Sequence, residues 1–274
     1  MSGWVDASMK NRFSALTQTL LKVCVIGVGF GLTFEEFSGV GIHDLTVIGS
    51  VVCLTLASGY LLSRKIRIPA STAILITVGT AICGGSAIAT ISPIIQAKRQ
   101  QLASSLAVVF LLNAVGMFLF PFIGRAFGLS DSVFGLWSAI AIHDTSSVIG
   151  ASAMYSDHAL KMAVLFKSIR TLFIIPIAIW VACSRKTTAV VSRFPWFLIL
   201  FLLGVFLVFF FPQGAGLYSV VYVGAKRLIA VPIFLVGVSL SPYEMIKQNG
   251  KDLVFAVCLW ALLASLSLGW LVLI

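Results

Sequence analysis

The chain has 274 residues, of which 59% are hydrophobic and 10% charged, and its mean hydropathy is +1.08. Charge-free runs over 68–97 and 253–274 exceed what a soluble core needs, so the composition excludes a soluble globular domain and points to an all-α, polytopic membrane protein. The formal net charge of +10 does not signal nucleic acid, because the Lys and Arg residues sit mostly in short loops between apolar runs, as the positive-inside rule expects.

In chain order, residues 1–11 are polar, and the first apolar run starts near Leu20 without a signal-peptide cleavage site, so insertion depends on the spans themselves. Apolar runs predict full spans near 17–34, 44–62, 101–123, 157–183, 195–211, 218–240 and 252–274. Two further apolar stretches, 68–97 and 132–156, are interrupted by polar residues. In the first the break reads Ala81-Ile-Cys-Gly-Gly-Ser-Ala-Ile88, in the second Ala141-Ile-His-Asp-Thr-Ser-Ser-Val148. Each is either a kinked span or a re-entrant hairpin, and hydropathy alone does not separate the two. Charge favours re-entry: Lys98 and Arg99 then share the cytoplasmic side with Arg64, Lys65 and Arg67, whereas full crossing moves them outside and brings Arg125 in. Both versions place the N-terminus in the cytoplasm and the acidic loop with Glu35, Glu36 and Asp44 outside.

An internal match pairs Gly29, Leu32, Glu36, Asp44 and Leu45 with Gly237, Leu240, Glu244, Asp252 and Leu253. An odd number of spans lies between the copies, so residues 17–62 and 225–274 are expected to form an inverted repeat within one transmembrane transporter domain spanning 1–274. The five cysteines are scattered singly with no CxxC pair, so neither a disulfide framework nor a metal site is expected, and no cofactor. Trp4, Trp137, Trp180, Trp196 and Trp270 fall near predicted interfaces, as aromatic belts do.

Non-helical backbone at membrane depth is tolerated only where protein or a water-filled cavity surrounds it, and paired breaks mark transporter binding sites. Gly84 and Gly85 let the backbone leave helical geometry. Ser86 is expected to cap the half-helix that follows, whose free N–H groups and positive dipole end suit an anion. Close packing through small residues is the plainer alternative. In the second break, Asp144 and His143 are costly at that depth and read as a coupling pair for a proton or cation, although Asp144 also fits as an N-cap. Thr145 and Ser146 add hydroxyls. Lys167 and Arg170 share one helical face about 15 Å or more into the next span, and with only Asp144 as an obvious partner they leave a positive pocket for an anion. Contacts to backbone carbonyls are their alternative fate.

These segments, Gly79-Thr-Ala-Ile-Cys-Gly-Gly-Ser-Ala-Ile-Ala89, the Ala-Ile-His-Asp-Thr-Ser-Ser-Val break, Lys167-Ser-Ile-Arg170 with Pro176, and Pro195-Trp-Phe197, resemble the YeiH-type family of bacterial inner-membrane proteins, which is named for sulfate export. The resemblance runs from about Lys22 to the C-terminus. It implies export of an inorganic or small organic anion from the inner membrane, with Gly84, Gly85, Ser86, Asp144, Lys167 and Arg170 at the site. Members of that family carry about two further spans before the segment equivalent to 20–34, a pattern from which this sequence departs.

The expected function is therefore secondary transport, by alternating access, of a small anion such as sulfate or a sulfonate-derived anion. The expected partners are that anion, the lipid bilayer and a coupling proton or cation, and a homo-oligomer is compatible with the sequence. No catalytic residue is expected. The rivals are a non-transporting membrane subunit or sensor, and an intramembrane hydrolase built from Ser86, His143 and Asp144. The hydrolase is disfavoured because adjacent His and Asp on one backbone rarely orient as base and orienter, and no nucleophile elbow surrounds Ser86.

Overall fold

The computed structural model describes residues 22–31, 41–184, 196–228 and 250–273, with positions 16, 19, 20 and 231. All regular structure among them is helical. After a helical segment at 22–29 come α1 (Ile42–Ile66), α2 (Ala70–Ala81), α3 (Gly85–Ile94), α4 (Arg99–Ala126), α5 (Asp131–Ala141), α6 (Thr145–Tyr155), α7 (Asp157–Leu172), α8 (Ile174–Ser184), α9 (Trp196–Phe210), α10 (Ala215–Leu228) and α11 (Gly250–Leu273).

Local chemistry sets the ends of these helices. The Asp44 carboxylate accepts the Gly41 N–H at 3.0 Å to start α1, and Arg67 stops it in the left-handed region at φ 56° with Arg64 and Lys65 in the last turn, where cations suit the helix dipole. The Gln101 side chain accepts the Lys98 N–H at 2.9 Å at the head of α4, and Ser156 accepts the Ala159 N–H at 3.0 Å at the head of α7. Leu61, Phe122, Phe210 and Val220 leave apolar side chains exposed on the outer surface, as lipid-facing helices do.

Four helical stretches among the described residues are long and apolar enough to cross a bilayer: Asp44–Ile66, Arg99–Ala126, Asp157–Ser184 and Gly250–Val272. The expected spans at 195–211 and 218–240 appear, as far as they are described, as a pair bent by 103°. Most of the expected inverted repeat, with Leu32, Glu36, Gly237, Leu240 and Glu244, lies outside the described residues, as do Glu35, Trp4 and the Trp196 side chain. Trp137 corrects the aromatic-belt expectation: it is 1% exposed, because its ring fills the core against Phe120 and its indole N–H bonds the Ala264 carbonyl at 3.1 Å.

α2, α3, α5 and α6 are only 12, 10, 11 and 11 residues long, so each rises about half the thickness of a hydrocarbon core roughly 30 Å deep. The contacts show that each pair folds back on itself. Ser138 and Ser152 are joined through their hydroxyls at 3.0 Å, Phe134 stacks on Tyr155 with ring centroids 3.8 Å apart, and the Tyr155 hydroxyl donates to the Leu129 carbonyl at the base. That pairing makes α5 and α6 antiparallel, with residues 142–144 as the tip. α7 restarts beside the base, where Ser132 meets His158 at 3.0 Å, and runs parallel to α5. Gly135 permits this approach, since a Cβ there would lie 2.7 Å from that of Met162 and 3.0 Å from the Ala159 carbonyl.

α2 and α3 repeat the construction from the other side. Gly79 of α2 packs on Ile88 of α3, and Gly85 lies against Phe110 while residues 95–98 turn directly into α4, so α3 and α4 are antiparallel. Ala73 and Ile76 of α2 share a core cluster with Val108 and Leu112 of α4 and with Phe255 and Leu259 of α11. The base of this hairpin therefore lies at the start of α4, whereas Arg125 at the end of α4 bonds the Met154 carbonyl at the base of the other hairpin. The two hairpins enter from opposite sides and their tips meet half-way along α4. Hydropathy left kinked and re-entrant versions open, and these contacts select the re-entrant one.

Two outcomes check this arrangement. Single cysteines replacing Arg67 and Lys98 on a cysteine-free background should label from one face of the membrane, and those replacing Ser130 and Ser156 from the other. Labelling of positions 67 and 98 from opposite faces would eliminate the first hairpin. Gly135→Val should overpack the α5–α7 contact and cost about 1–3 kcal/mol, read as a lower melting temperature in detergent, whereas Gly216→Ala, with open space around it, should melt like the parent.

Candidate functional site: the meeting of two hairpin tips

The two tips touch. Gly84 has φ +63° and ψ −120°, a conformation that L side chains rarely adopt, and a Cβ placed on it would stand 3.4 Å from the His143 Cβ and from the Asp144 nitrogen. The glycine therefore serves both the backbone turn and the close approach. Gly84 itself is the N-cap of α3, with its N–H donating to the Gly79 carbonyl at 2.8 Å. This corrects the expected capping role of Ser86. Because the glycine turn already starts the helix one residue earlier, Ser86 lies inside the first turn, no side chain caps that end, and Ser86 is exposed. Gly85 is half-buried.

The second tip is capped by its own residues. The Asp144 carboxylate accepts the Ser146 N–H at 3.1 Å and also takes the Ser146 hydroxyl, and Asp144 and Thr145 are half-buried. Asn113, in the middle of α4, completes the turn: its Oδ1 accepts the backbone N–H groups of His143 and Asp144 at 3.0 and 3.1 Å, and lies 3.3 Å from His143 Nδ1.

Behind the tips, α7 supplies the cations. Arg170 is fully buried. Its Nε donates to the Ala81 carbonyl at 2.9 Å and Nη2 to Thr80 at 2.6 Å, both at the end of α2, while Nη1 donates to Ala139 at 2.8 Å and Ile140 at 2.5 Å, at the end of α5. Lys167, equally buried, donates to Ala139 at 3.2 Å and Ile142 at 2.8 Å. The indole N–H of Trp260, from α11, donates to Ala141 at 2.9 Å. Every carbonyl from Ala139 to Ile142 thus receives a side-chain donor, in the place where a helix end has no backbone partner. The spacing that put Lys167 and Arg170 on one face is the spacing that lets them reach adjacent carbonyls.

The structure brings Gly84, Gly85, His143, Asp144, Thr145, Ser146, Lys167 and Arg170 to one place, with Ser86 at its exposed edge. It does not assemble a hydrolytic triad among the described residues, since His143 Nδ1 faces Asn113 and the Asp144 carboxylate is held by Ser146. Asn113 and Trp260 were missed by the sequence analysis. Asn113 is the one carboxamide within 102–123, which was the available signal, whereas Trp260 shares its run with Trp270 and had none.

Removing donors should destabilise the crossing in proportion to the carbonyls released. Arg170→Gln should cost about 3 kcal/mol and Trp260→Phe about 1 kcal/mol, measured by unfolding in detergent. An Arg170→Gln variant that unfolds with the parent would mean that the α2 and α5 ends do not depend on it.

Comparison with known proteins places the chain beside membrane proteins. A family profile described as conserved hypothetical protein 698 matches residues 5–256. A UPF0324 membrane protein of Vibrio parahaemolyticus is 41% identical over 265 residues, covering 95% of this chain and 86% of the relative. Its counterpart in Shewanella oneidensis is 38% identical, covering 98% and 84%, and one in Bacteroides thetaiotaomicron is 37% identical, covering 92% and 77%. No solved structure matches the chain.

Proposed function

Since the chain belongs to the conserved hypothetical protein 698 family of UPF0324 membrane proteins, we propose that it is a secondary carrier that moves a small anion past the meeting point of its two hairpins by alternating access. The observation that carries this reading is the charge at the crossing. Lys167 and Arg170 bring two basic side chains and Asp144 one carboxylate. The helix ends, worth about half a charge each, cancel in pairs, because two C-termini and two N-termini meet there. With both basic side chains protonated, the crossing carries a formal excess of one positive charge among the described residues. An anion entering beside Ser86 meets the uncapped N–H groups of α3 first, with Thr145 and the second tip next to them.

In this reading Gly84, Gly85, Ser86, Thr145 and Ser146 form the polar wall of the anion path. Lys167 and Arg170 act through their charge while bonded to carbonyls, and Asp144, with His143, couples the step to a proton or cation. Sulfate or a sulfonate-derived anion suits a site that offers backbone N–H groups and hydroxyls. We place the carrier in the bacterial inner membrane with its N-terminus in the cytoplasm, as one transporter domain with an inverted repeat, and no enzymatic chemistry is required of it. A homo-oligomer is consistent with its exposed apolar surface.

Thermal melting of detergent-purified protein against sulfate, nitrate and acetate tests the assignment. A bound anion at 100 times its dissociation constant should stabilise the folded state by about 2.7 kcal/mol, and the same anion should slow thiol labelling of Ser86→Cys on a cysteine-free background. Melting and labelling unmoved by every anion would overturn the carrier reading.

A further inference from the structure

Four buried polar groups among the described residues lack a partner, and their chemistry distinguishes them. Among the described residues, the buried side-chain atoms with no hydrogen bond are Thr80 Oγ1, Ser105 Oγ, Asn113 Nδ2 and His143 Nε2. The two hydroxyls belong to helical residues and can turn toward a carbonyl one turn back. The amide and the imidazole cannot. Asn113 Oδ1 already accepts two backbone N–H groups, which fixes which end of the amide is oxygen and leaves the NH2 group pointing elsewhere. The same oxygen lies 3.3 Å from His143 Nδ1, so Nδ1 carries the proton and Nε2 presents a lone pair. An open donor and an open acceptor therefore sit on two planar groups that are themselves bonded to each other. Both residues are almost fully buried, at 2% and 1% exposed.

We propose that Asn113 and His143 are the polar ligands of the anion inside the crossing, and that His143 takes up its proton together with the anion. This rests on the carrier reading and names residues and a co-substrate for it. Asn113 Nδ2 donates to the anion as it stands. Nε2 donates only after taking a proton from the aqueous phase, which returns there when the anion leaves, so charge and atoms balance over a cycle. Each group packed around His143 favours joint arrival. Lys167 and Arg170 from α7 are the cations near it, Trp260 from α11 offers an aromatic ring 6.5 Å away, the first tip brings Gly84 against its Cβ, and the Asp144 carboxylate is occupied as a cap. A proton alone raises the positive charge of the site, and an anion alone finds a lone pair aimed at it. Together they satisfy both groups. The occupant is a small oxyanion, because it must accept from two donors held on adjacent planar side chains.

The test is radiolabelled sulfate binding by the purified full-length chain between pH 5 and 8, with proton uptake followed in weakly buffered solution. The parent should take up one proton per sulfate and bind about tenfold more tightly for each unit fall in pH above the His143 transition. Asn113→Asp keeps an acceptor for the two backbone N–H groups but replaces the NH2 donor, and should lose binding at least 100-fold while keeping its helical content. His143→Asn retains a donor near the Nδ1 position and removes Nε2, so its binding should be weak and independent of pH. Parental affinity and pH slope in both variants would overturn the proposal while leaving the carrier reading intact, and would assign the pair to an internal water. A parent that binds no sulfate, nitrate or acetate would overturn both.

Discussion

A helix that stops half-way across a bilayer leaves its last carbonyls without backbone partners, at a depth where water cannot supply them. Here two helices stop at the same place. The side chains that answer this need are few, and Arg170 is the one on which both ends depend, since one guanidinium spans Thr80 and Ala81 of the first hairpin and Ala139 and Ile140 of the second. Arginine suits the role because its planar fork points several N–H groups in fixed directions, and because two helix C-termini supply the negative potential that a buried cation requires. Lysine at the same position would keep the charge but reach fewer carbonyls.

The remaining parts of the crossing follow from that arrangement. With the carbonyl ends tied to α7, the N-terminal ends of α3 and α6 are brought together on the other side of the tips, where one is left uncapped and the other is closed by Asp144 and Asn113. The asymmetry has an electrostatic consequence. The cations and their carbonyls form a closed, buried unit, and the uncapped N-terminus of α3 lies at the exposed edge at Ser86. In the proposed carrier, the cations that hold the backbone together would also bias the accessible side toward anions, so the stabilising and proposed functional roles of Lys167 and Arg170 need not compete.

Neighbouring helices hold this centre rigid. α4 contributes Asn113 at mid-length and ties one hairpin base to each of its ends, while α7 runs along α5 at the close distance that Gly135 allows. α11 closes the third side through Trp260, with Asp252 near its start bonded to Ser104 on α4. Alternating access would have to move other elements about this packed centre. Of the bent pair, α9 places Phe201 and Val205 in the core cluster that holds Leu136 and Leu165, and α10 adds an exposed ion pair of Lys226 with Asp157 at the head of α7, a contact of small worth by itself.

The sequence by itself determined the membrane class, the helical fold and the position of both breaks, because a charge-free apolar run leaves few alternatives and a polar interruption within it is conspicuous. It also singled out Lys167 and Arg170 by depth and spacing. What it could not decide was direction and partnership. A kinked span and a hairpin have the same hydropathy, and only contacts such as Ser138 with Ser152 and Gly79 with Ile88 show that the chain turns back. Whether a buried cation faces a ligand or a carbonyl is likewise absent from local sequence, since the carbonyls of Thr80 and Ala139 lie far from Arg170 along the chain. Asn113 and Trp260 escaped notice for the same physical reason: each acts on backbone atoms of another helix, and backbone atoms carry no signature in the sequence.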